Sequence, residues 1–175
     1  RILRRNGAEE NATTTQDYTN YYQRISKDRL ELVMDLESDR MANLQLSEND
    51  VVPELAVVEE ERRSRVDNEP SSLLVEQMDA ALFTAHPYGK PVIGWMSEVM
   101  KLDYRDAMAF YRANYTPANA IVVVAGDVTP DEVRLLAEKY YGVLPNTFSP
   151  GPRIRTEEPE PIAARRITMS GQLPS

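Results

Sequence analysis

The alternation of apolar and polar positions along the chain predicts five helices. In residues 27–44 and 103–115, apolar side chains recur at intervals of three and four with no Gly or Pro inside, which is typical of a helix with one buried face. The other three helices are indicated by capping residues or first-turn prolines at their starts. These markers are residues 47–50 with Pro53, Ser71 with Ser72, and Thr129 with Pro130. The predicted helices cover residues 27–44, 53–68, 73–83, 103–115 and 130–141.

Three further segments have features of strands. Residues 11–25 are rich in Thr and Tyr and contain neither Gly nor Pro, which predicts one extended strand. Residues 119–125 form an almost continuous apolar run, closed by Gly126, that predicts a buried strand. Residues 165–169 could begin another strand. Together these elements predict an α+β fold in which helices pack on a mixed or antiparallel sheet.

The prolines divide the chain unevenly. Six of the 12 prolines lie from Pro145 onward, a composition typical of linkers and extended tails. We therefore assign residues 1–148 to the greater part of one α+β domain, and residues 149–175 to a linker that could open the next domain. The chain does not begin with Met, and residues 1–5 have the pattern of a helix end, so we expect the natural protein to begin further upstream.

Composition excludes several classes of function. A net charge of −8 argues against nucleic acid or an anionic membrane surface as the main partner, and the basic clusters at residues 1–5 and 62–65 are predicted to be solvated helix faces. No apolar run is long enough to span a membrane. The absence of cysteine excludes disulfides, thiolate nucleophiles and cysteine zinc sites. The compartment cannot be inferred from it.

Histidine is equally informative, because His86 is the only one in the chain. Catalytic zinc is normally held by three protein ligands rich in histidine, so a self-contained zinc site is not expected within these 175 residues. No Gly-x-Ser-x-Gly motif accompanies His86, which argues against a Ser-His-Asp hydrolase. His86 lies in a turn-rich segment, residues 86–91, and is predicted to be structural.

Two acids seven residues apart are the main candidate for chemistry. Glu54 and Glu61 fall on one helix face, two turns apart, with Val57 and Val58 on or near the same side. A carboxylate on an apolar face needs a partner, because burying an unpaired charge is costly. A metal ion or an arginine would serve, and spacing alone favours ion pairing or simple exposure.

The segment Glu54-Leu-Ala-Val-Val-Glu-Glu-Glu61, followed by Arg-Arg-Ser-Arg, resembles the pitrilysin/insulinase family of zinc metallopeptidases. In that family an inverted His-x-x-Glu-His motif supplies two zinc ligands and the general base, and a downstream helix supplies a glutamate ligand preceded two turns earlier by another acid. The resemblance implies that Glu61 is the zinc ligand and Glu54 a supporting acid. It also implies that the predicted sheet is the incomplete sheet of a metallopeptidase domain.

Other segments resemble the same family in the same order. Asn11-Ala12-Thr13-Thr14 is similar to the family's edge strand, although Thr13 stands where an aromatic residue is common. The resemblance implies that Asn11, Ala12, Thr13 and Thr14 bind an extended peptide as an added strand. The remaining similar segments are Glu37-Ser-Asp-Arg-Met41, His86-Pro-Tyr88 with Pro91-Val-Ile-Gly94, and Tyr115-Thr-Pro-Ala-Asn-Ala120 with Gly126-Asp-Val128.

One departure from the family decides how the chain is interpreted, since it contains no His-x-x-Glu-His motif. The first hypothesis is a fragment of a zinc endopeptidase, with Zn²⁺ bound only in the full-length protein and this chain alone inactive. The expected partners are a peptide substrate and a second homologous domain or subunit. The alternative is a catalytically silent paralogue with a structural or substrate-presenting role. A third hypothesis is an acidic α+β interaction domain whose similarity to the family is coincidental.

Overall fold

The computed structural model of the protein describes residues 2–149, 151–152 and 154–170. Its backbone divides into two units, each built from two separate segments. The first unit comprises Arg1–Leu46 with Arg105–Pro152, and the second Ser47–Tyr104 with Arg153–Ser175. Arg1 and parts of the predicted linker (residues 150, 153 and 171–175) lie outside the described residues. The assignment of a domain to residues 1–148 and a linker to 149–175 stays a prediction.

The described residues form a helix-rich α+β fold with a two-stranded antiparallel sheet. The strands are β1 (Glu9–Thr14) and β2 (Thr19–Arg24). The α-helices are α1 (Ile2–Arg5), α2 (Leu30–Asn43), α3 (Glu48–Arg62), α4 (Pro70–Leu82), α5 (Met96–Val99), α6 (Tyr104–Asn114) and α7 (Pro130–Tyr140). A π-helical turn covers Arg63–Asp67, and 3₁₀ turns cover Lys27–Arg29, Pro87–Gly89 and Pro117–Asn119.

The prediction of one extended strand over residues 11–25 was wrong, because the segment is a hairpin. Thr14 pairs with Thr19 at the end of the ladder. Between them, the Thr15 hydroxyl accepts hydrogen bonds from the backbone N–H groups of Asp17 and Tyr18, both at 3.2 Å. The threonine hydroxyl thus provides hydrogen-bond acceptors for the backbone N–H groups of the turn. The turn was not recognised because it contains neither the glycine nor the proline that usually marks one in a sequence.

The strand predicted over residues 119–125 is also absent from the part of the chain that the structure describes. Residues 117–119 form a 3₁₀ turn, and residues 120–125 form neither helix nor strand. Ile121 and Val123 are 92% and 82% exposed. A strand requires hydrogen bonds from a neighbouring strand, and the described residues place none beside this run. Residues 165–169 likewise form no strand there.

The predicted helices are present, and α7 starts at Pro130 as predicted, whereas the starts of the other four are shifted. α3 begins at Glu48 rather than at Pro53, so the proline lies inside the helix. α4 begins at Pro70 rather than after the serines, because proline is well suited to the first helical position. The short helix α5 lies between the predicted elements, in residues to which no helix or strand was assigned.

Each unit has its own small set of buried side chains. In the first unit, Leu3, Ala8 and Val33 form a cluster, with Ile25 and Leu36 packed against it.

Arg4 is exposed beside the buried Leu3, which confirms the solvated basic face for that residue of α1. No described helix combines the length and apolarity that crossing a membrane requires.

Candidate functional site

Helix α3 carries both candidate acids. Its start is fixed by a cap, in which the Asp50 carboxylate accepts hydrogen bonds from the Ser47 hydroxyl at 2.6 Å and the Ser47 backbone N–H at 2.8 Å. These two bonds hold the pKa of Asp50 below its ordinary value, and the bond from the hydroxyl has the larger effect. Because the helix continues through Pro53, Glu54 and Glu61 lie on it two turns and roughly 10 Å apart along the axis.

The two acids differ in surroundings. Glu54 is exposed. Glu61 lies in the last turn of α3, where its side chain is 37% exposed and its Oε1 is 2.6 Å from Nη1 of Arg65. Exposed pairs of this kind contribute little stability, so the contact does not lock the Glu61 carboxylate in place. The structure therefore presents one half-exposed carboxylate at the end of a helix.

Arg62, the residue after Glu61, is buried, which corrects the prediction that residues 62–65 form a solvated face. Its side chain is 4% exposed. The guanidinium donates to both carboxylate oxygens of Glu76 on α4, at 2.8 and 3.1 Å, and to the Gly94 carbonyl at 2.7 Å. Asp67 lies 3.3 Å away. The bond to Glu76 is the main reason that the pKa of Arg62 is raised.

Sequence inspection missed this pair because its only signal is Glu76, one of two acids in the mostly apolar helix α4. Arg63, one residue and about 100° further along the helix, is exposed, and so is Arg65. Those two make surface pairs and match the prediction. The π-helical turn that follows is closed by a bond from the Asn68 N–H to the Arg63 carbonyl, at 2.9 Å, and such turns are frequent at functional sites.

The proposed peptide-binding residues lie along β1, and all four are exposed. β1 pairs with β2 through one edge, and no other strand in the described part of the chain occupies its second edge. The Ala12 N–H is taken by the side chain of its own neighbour, Asn11, at 2.9 Å. Thr14 Oγ1 is 3.3 Å from the hydroxyl of Thr19. Thr13 lies opposite Asn20.

Contacts to α2 and to Tyr115 hold the hairpin. Gln23 donates to Glu37 at 2.8 Å. The guanidinium of Arg40 lies 3.8 Å from the centre of the Tyr21 ring. The hydroxyls of Tyr21 and Tyr115 share a short hydrogen bond, and burial, followed by that bond, raises the pKa of Tyr115.

The single histidine closes a turn. His86 Nδ1 accepts a hydrogen bond from the Tyr88 N–H at 3.2 Å, and the two rings meet edge to face. The structural role predicted for His86 is confirmed. Sequence inspection missed a neighbouring contact between segments more than 70 residues apart. The Glu158 carboxylate accepts hydrogen bonds from the N–H groups of Thr84, Ala85 and His86 at 2.5, 2.9 and 2.8 Å.

Two family profiles match the chain. The profile described as "Insulinase (Peptidase family M16)" matches residues 1–95, and that described as "Peptidase M16 inactive domain" matches residues 101–174. The chain belongs to peptidase family M16. The resemblance to the insulinase family that the acids on α3 and the hairpin segment suggested is thereby confirmed.

Relatives of this M16 chain are named as zinc proteases. "Zinc protease PqqE" of Helicobacter pylori is 36% identical over 146 residues, which cover 83% of this chain and 33% of the relative. An uncharacterized zinc protease of Mycobacterium leprae is 38% identical over 136 residues, or 78% and 30%. The crystal structure of a protease from Helicobacter pylori matches with a TM-score of 0.83 and 34% identity, over 90% of this chain and 38% of that one. The chain spans about a third of the length of these curated relatives.

Zinc, which the names of these relatives imply, can be tested against the donors present. The described residues contain no group of three His, Cys, Asp or Glu side chains close enough to share an ion. Glu61 offers a carboxylate, a recognised zinc ligand type, which makes a surface contact with Arg65. These residues therefore fit one ligand of a zinc site, and further ligands would have to be added to it.

Proposed function

We propose that the protein is a zinc-dependent endopeptidase that hydrolyses extended peptides, and that this chain supplies the carboxylate ligand. Glu61 is the ligand, and Glu54 supports the site by contacting another ligand or a bound water. The two histidine ligands and the general-base glutamate belong to a His-x-x-Glu-His motif that residues 1–175 do not contain. When bound, zinc would polarise the scissile carbonyl group.

The position of Glu61 is the observation that carries the proposal. Its carboxylate stands half exposed at the end of a long helix, next to a residue buried in an ion pair. The backbone is thus anchored, while the carboxylate contacts an exposed arginine, Arg65. A ligand that can exchange a weak surface pair for a metal fits this arrangement better than an acid locked in the core.

The second part of the proposal concerns β1. A peptide bound as an added strand would lie along the second edge of β1, at Asn11, Ala12, Thr13 and Thr14, and would pair with those backbone N–H and C=O groups that point away from β2. Backbone pairing selects extended peptides more than particular side chains. The Asn11 side chain now occupies the Ala12 N–H, so a peptide would replace that local bond. A second homologous domain, joined through residues 149–175, or a separate homologous subunit would complete the protein.

Substitution of the two acids in the full-length protein tests the proposal. We expect Glu61→Gln to lose most of the zinc and the activity, because a neutral amide is a far weaker ligand than a carboxylate. Glu54→Gln should keep zinc and lower kcat/KM by roughly 10–100-fold, as is usual for groups that orient ligands. Zinc content and kcat/KM would be measured for both variants.

The matched control is Glu60→Gln. Glu60 precedes Glu61 in the same helix, is exposed, and makes a surface contact of 3.4 Å with Arg63. It should keep both zinc and activity. Full zinc and normal turnover in Glu61→Gln would contradict the ligand assignment. An unmodified full-length protein that holds no zinc would instead favour the silent subunit.

A further inference from the structure

The buried pair Arg62–Glu76 has no role in the proposed chemistry. Arg62 and Glu76 are 4% and 7% exposed in their side chains, and two parallel hydrogen bonds join them. The pair links the last turn of α3 to the middle of α4. It is the most deeply buried ion pair in the part of the chain that the structure describes.

Stability alone is a weak reason for this pair. Removing two charges from water is costly, and apolar residues of similar size often hold a fold equally well or better. The Arg62 Nε is moreover buried without a hydrogen-bond partner among the described residues, which adds a further cost. A buried arginine that leaves one donor unmet invites an explanation other than packing.

The geometry of the contacts supplies one. From a single side chain, Arg62 reaches Glu76 on α4, the carbonyl of Gly94 at 2.7 Å and the carboxylate of Asp67 at 3.3 Å. Gly94 lies in a turn closed by a hydrogen bond from its N–H to the Pro91 carbonyl at 2.9 Å, and its φ of +82° favours glycine there. The end of α3 is thus fixed to three other segments of its unit.

We propose that Arg62 and Glu76 are positioning residues that fix the last turn of α3 and so hold the Glu61 carboxylate in the orientation that zinc requires. This inference rests on the proposed function of Glu61 as a zinc ligand. Glu61 is bonded directly to Arg62 along the chain, so a rotation of the last turn would move both. The surface contact of Glu61 with Arg65 cannot supply such rigidity, whereas a forked, buried arginine can.

The experiment separates positioning from folding by exchanging the whole pair. In the full-length protein, the double variant Arg62→Met/Glu76→Leu replaces the ion pair with apolar side chains of similar volume, which generally preserve a fold. We would measure the Tm of the zinc-free protein, the zinc dissociation constant by competition with a chromophoric chelator, and kcat/KM. The expected result is a nearly unchanged Tm with zinc affinity lowered roughly 10–100-fold.

Two further variants keep the test decisive. Arg63→Met removes the neighbouring exposed arginine and should leave zinc affinity unchanged. Arg62→Lys keeps the charge but loses the two-pronged contact, and should weaken zinc binding even if the double variant does not fold. Wild-type zinc affinity in Arg62→Lys, or in a folded double variant, would overturn the inference. If Glu61→Gln itself kept its zinc, the proposed function would fail instead, and the two failures are therefore distinguishable.

Discussion

Arginine–carboxylate pairs stabilise two regions of this molecule in different ways. In the second unit, Arg62 and Glu76 come from different helices, and their side chains are 4% and 7% exposed. In the first unit, Arg40 and Glu37 lie three residues apart on α2, and their side chains are 32% and 18% exposed. The first pair bridges helices, whereas the second ties a helix to itself and, through Gln23, to the hairpin.

The difference shows that the stability lost when a charge pair is broken depends on whether water can solvate the partner that remains. Around Arg40, water can solvate a group that loses its partner. Around Arg62, the partner would be left charged in a place that water does not reach, and that state is strongly unfavourable. Chemically similar contacts should therefore respond very differently to the same substitution.

The largest effect should come from removing one member of the buried pair. We expect Arg62→Ala to lower the free energy of unfolding by roughly 3–5 kcal/mol, because Glu76 remains buried without its partner. Arg40→Ala should cost about 1–2 kcal/mol, from a partly exposed ion pair and a contact with the Tyr21 ring. Denaturant unfolding of the full-length protein, with hydrogen exchange read separately for α3–α4 and for the hairpin, would measure both.

Equal losses in the two variants would break the comparison. They would mean that the Arg62 site admits water once the arginine is removed. A loss for Arg62→Ala that spread evenly over both units, rather than being concentrated in α3 and α4, would also contradict the local anchoring described above.

The sequence predicted those features that local contacts determine. The start of α7 was predicted from Thr129 and Pro130, and in the structure Thr129 forms a reciprocal cap with Glu132. The placement of Glu54 and Glu61 on one helix was also correct. In each case the residues that fix the structure lie within two turns of one another, so a pattern along the chain contains the information.

Contacts between distant segments were not predicted. Arg62 looks like its neighbours Arg63 and Arg65 in the sequence, and only the position of α4 distinguishes it. The strand prediction for residues 119–125 failed for a related reason, because an apolar run becomes a strand only beside a partner. The roles of Glu61, Glu54 and residues 11–14 stay predictions.

A smaller effect should come from the turn of the hairpin. We expect Thr15→Val to lower the free energy of unfolding by about 1 kcal/mol, because the valine keeps the shape but loses a hydroxyl that two backbone N–H groups share. This loss should be smaller than that of Arg62→Ala, since exposed N–H groups can turn to water. Hydrogen exchange of Asp17 and Tyr18 should accelerate first.

The matched control is Thr13→Val, on the same hairpin but with no hydrogen bond to its hydroxyl among the described residues. It should leave the turn amides unchanged. If both variants destabilised the hairpin equally, the effect would belong to strand composition and not to the Thr15 hydroxyl.

The smallest effect should come from the carboxylate of Glu158, a partly exposed acid in the same unit as the buried pair. Its bonds from the N–H groups of His86, Ala85 and Thr84 lower its pKa from the ordinary 4.5 to about 2. Because the folded pKa is the lower one, the contact contributes stability above pH 4.5 and loses it as the pH falls towards about 2. Hydrogen exchange of these three amides should therefore show declining protection across that window in the wild type.

Glu158→Gln should have weak protection at every pH and no such decline, whereas Glu157→Gln, beside it, should behave as the wild type. A decline that persisted in Glu158→Gln would assign the pH dependence to another group, and the contrast between exposed and buried carboxylates in this unit would then need a different explanation.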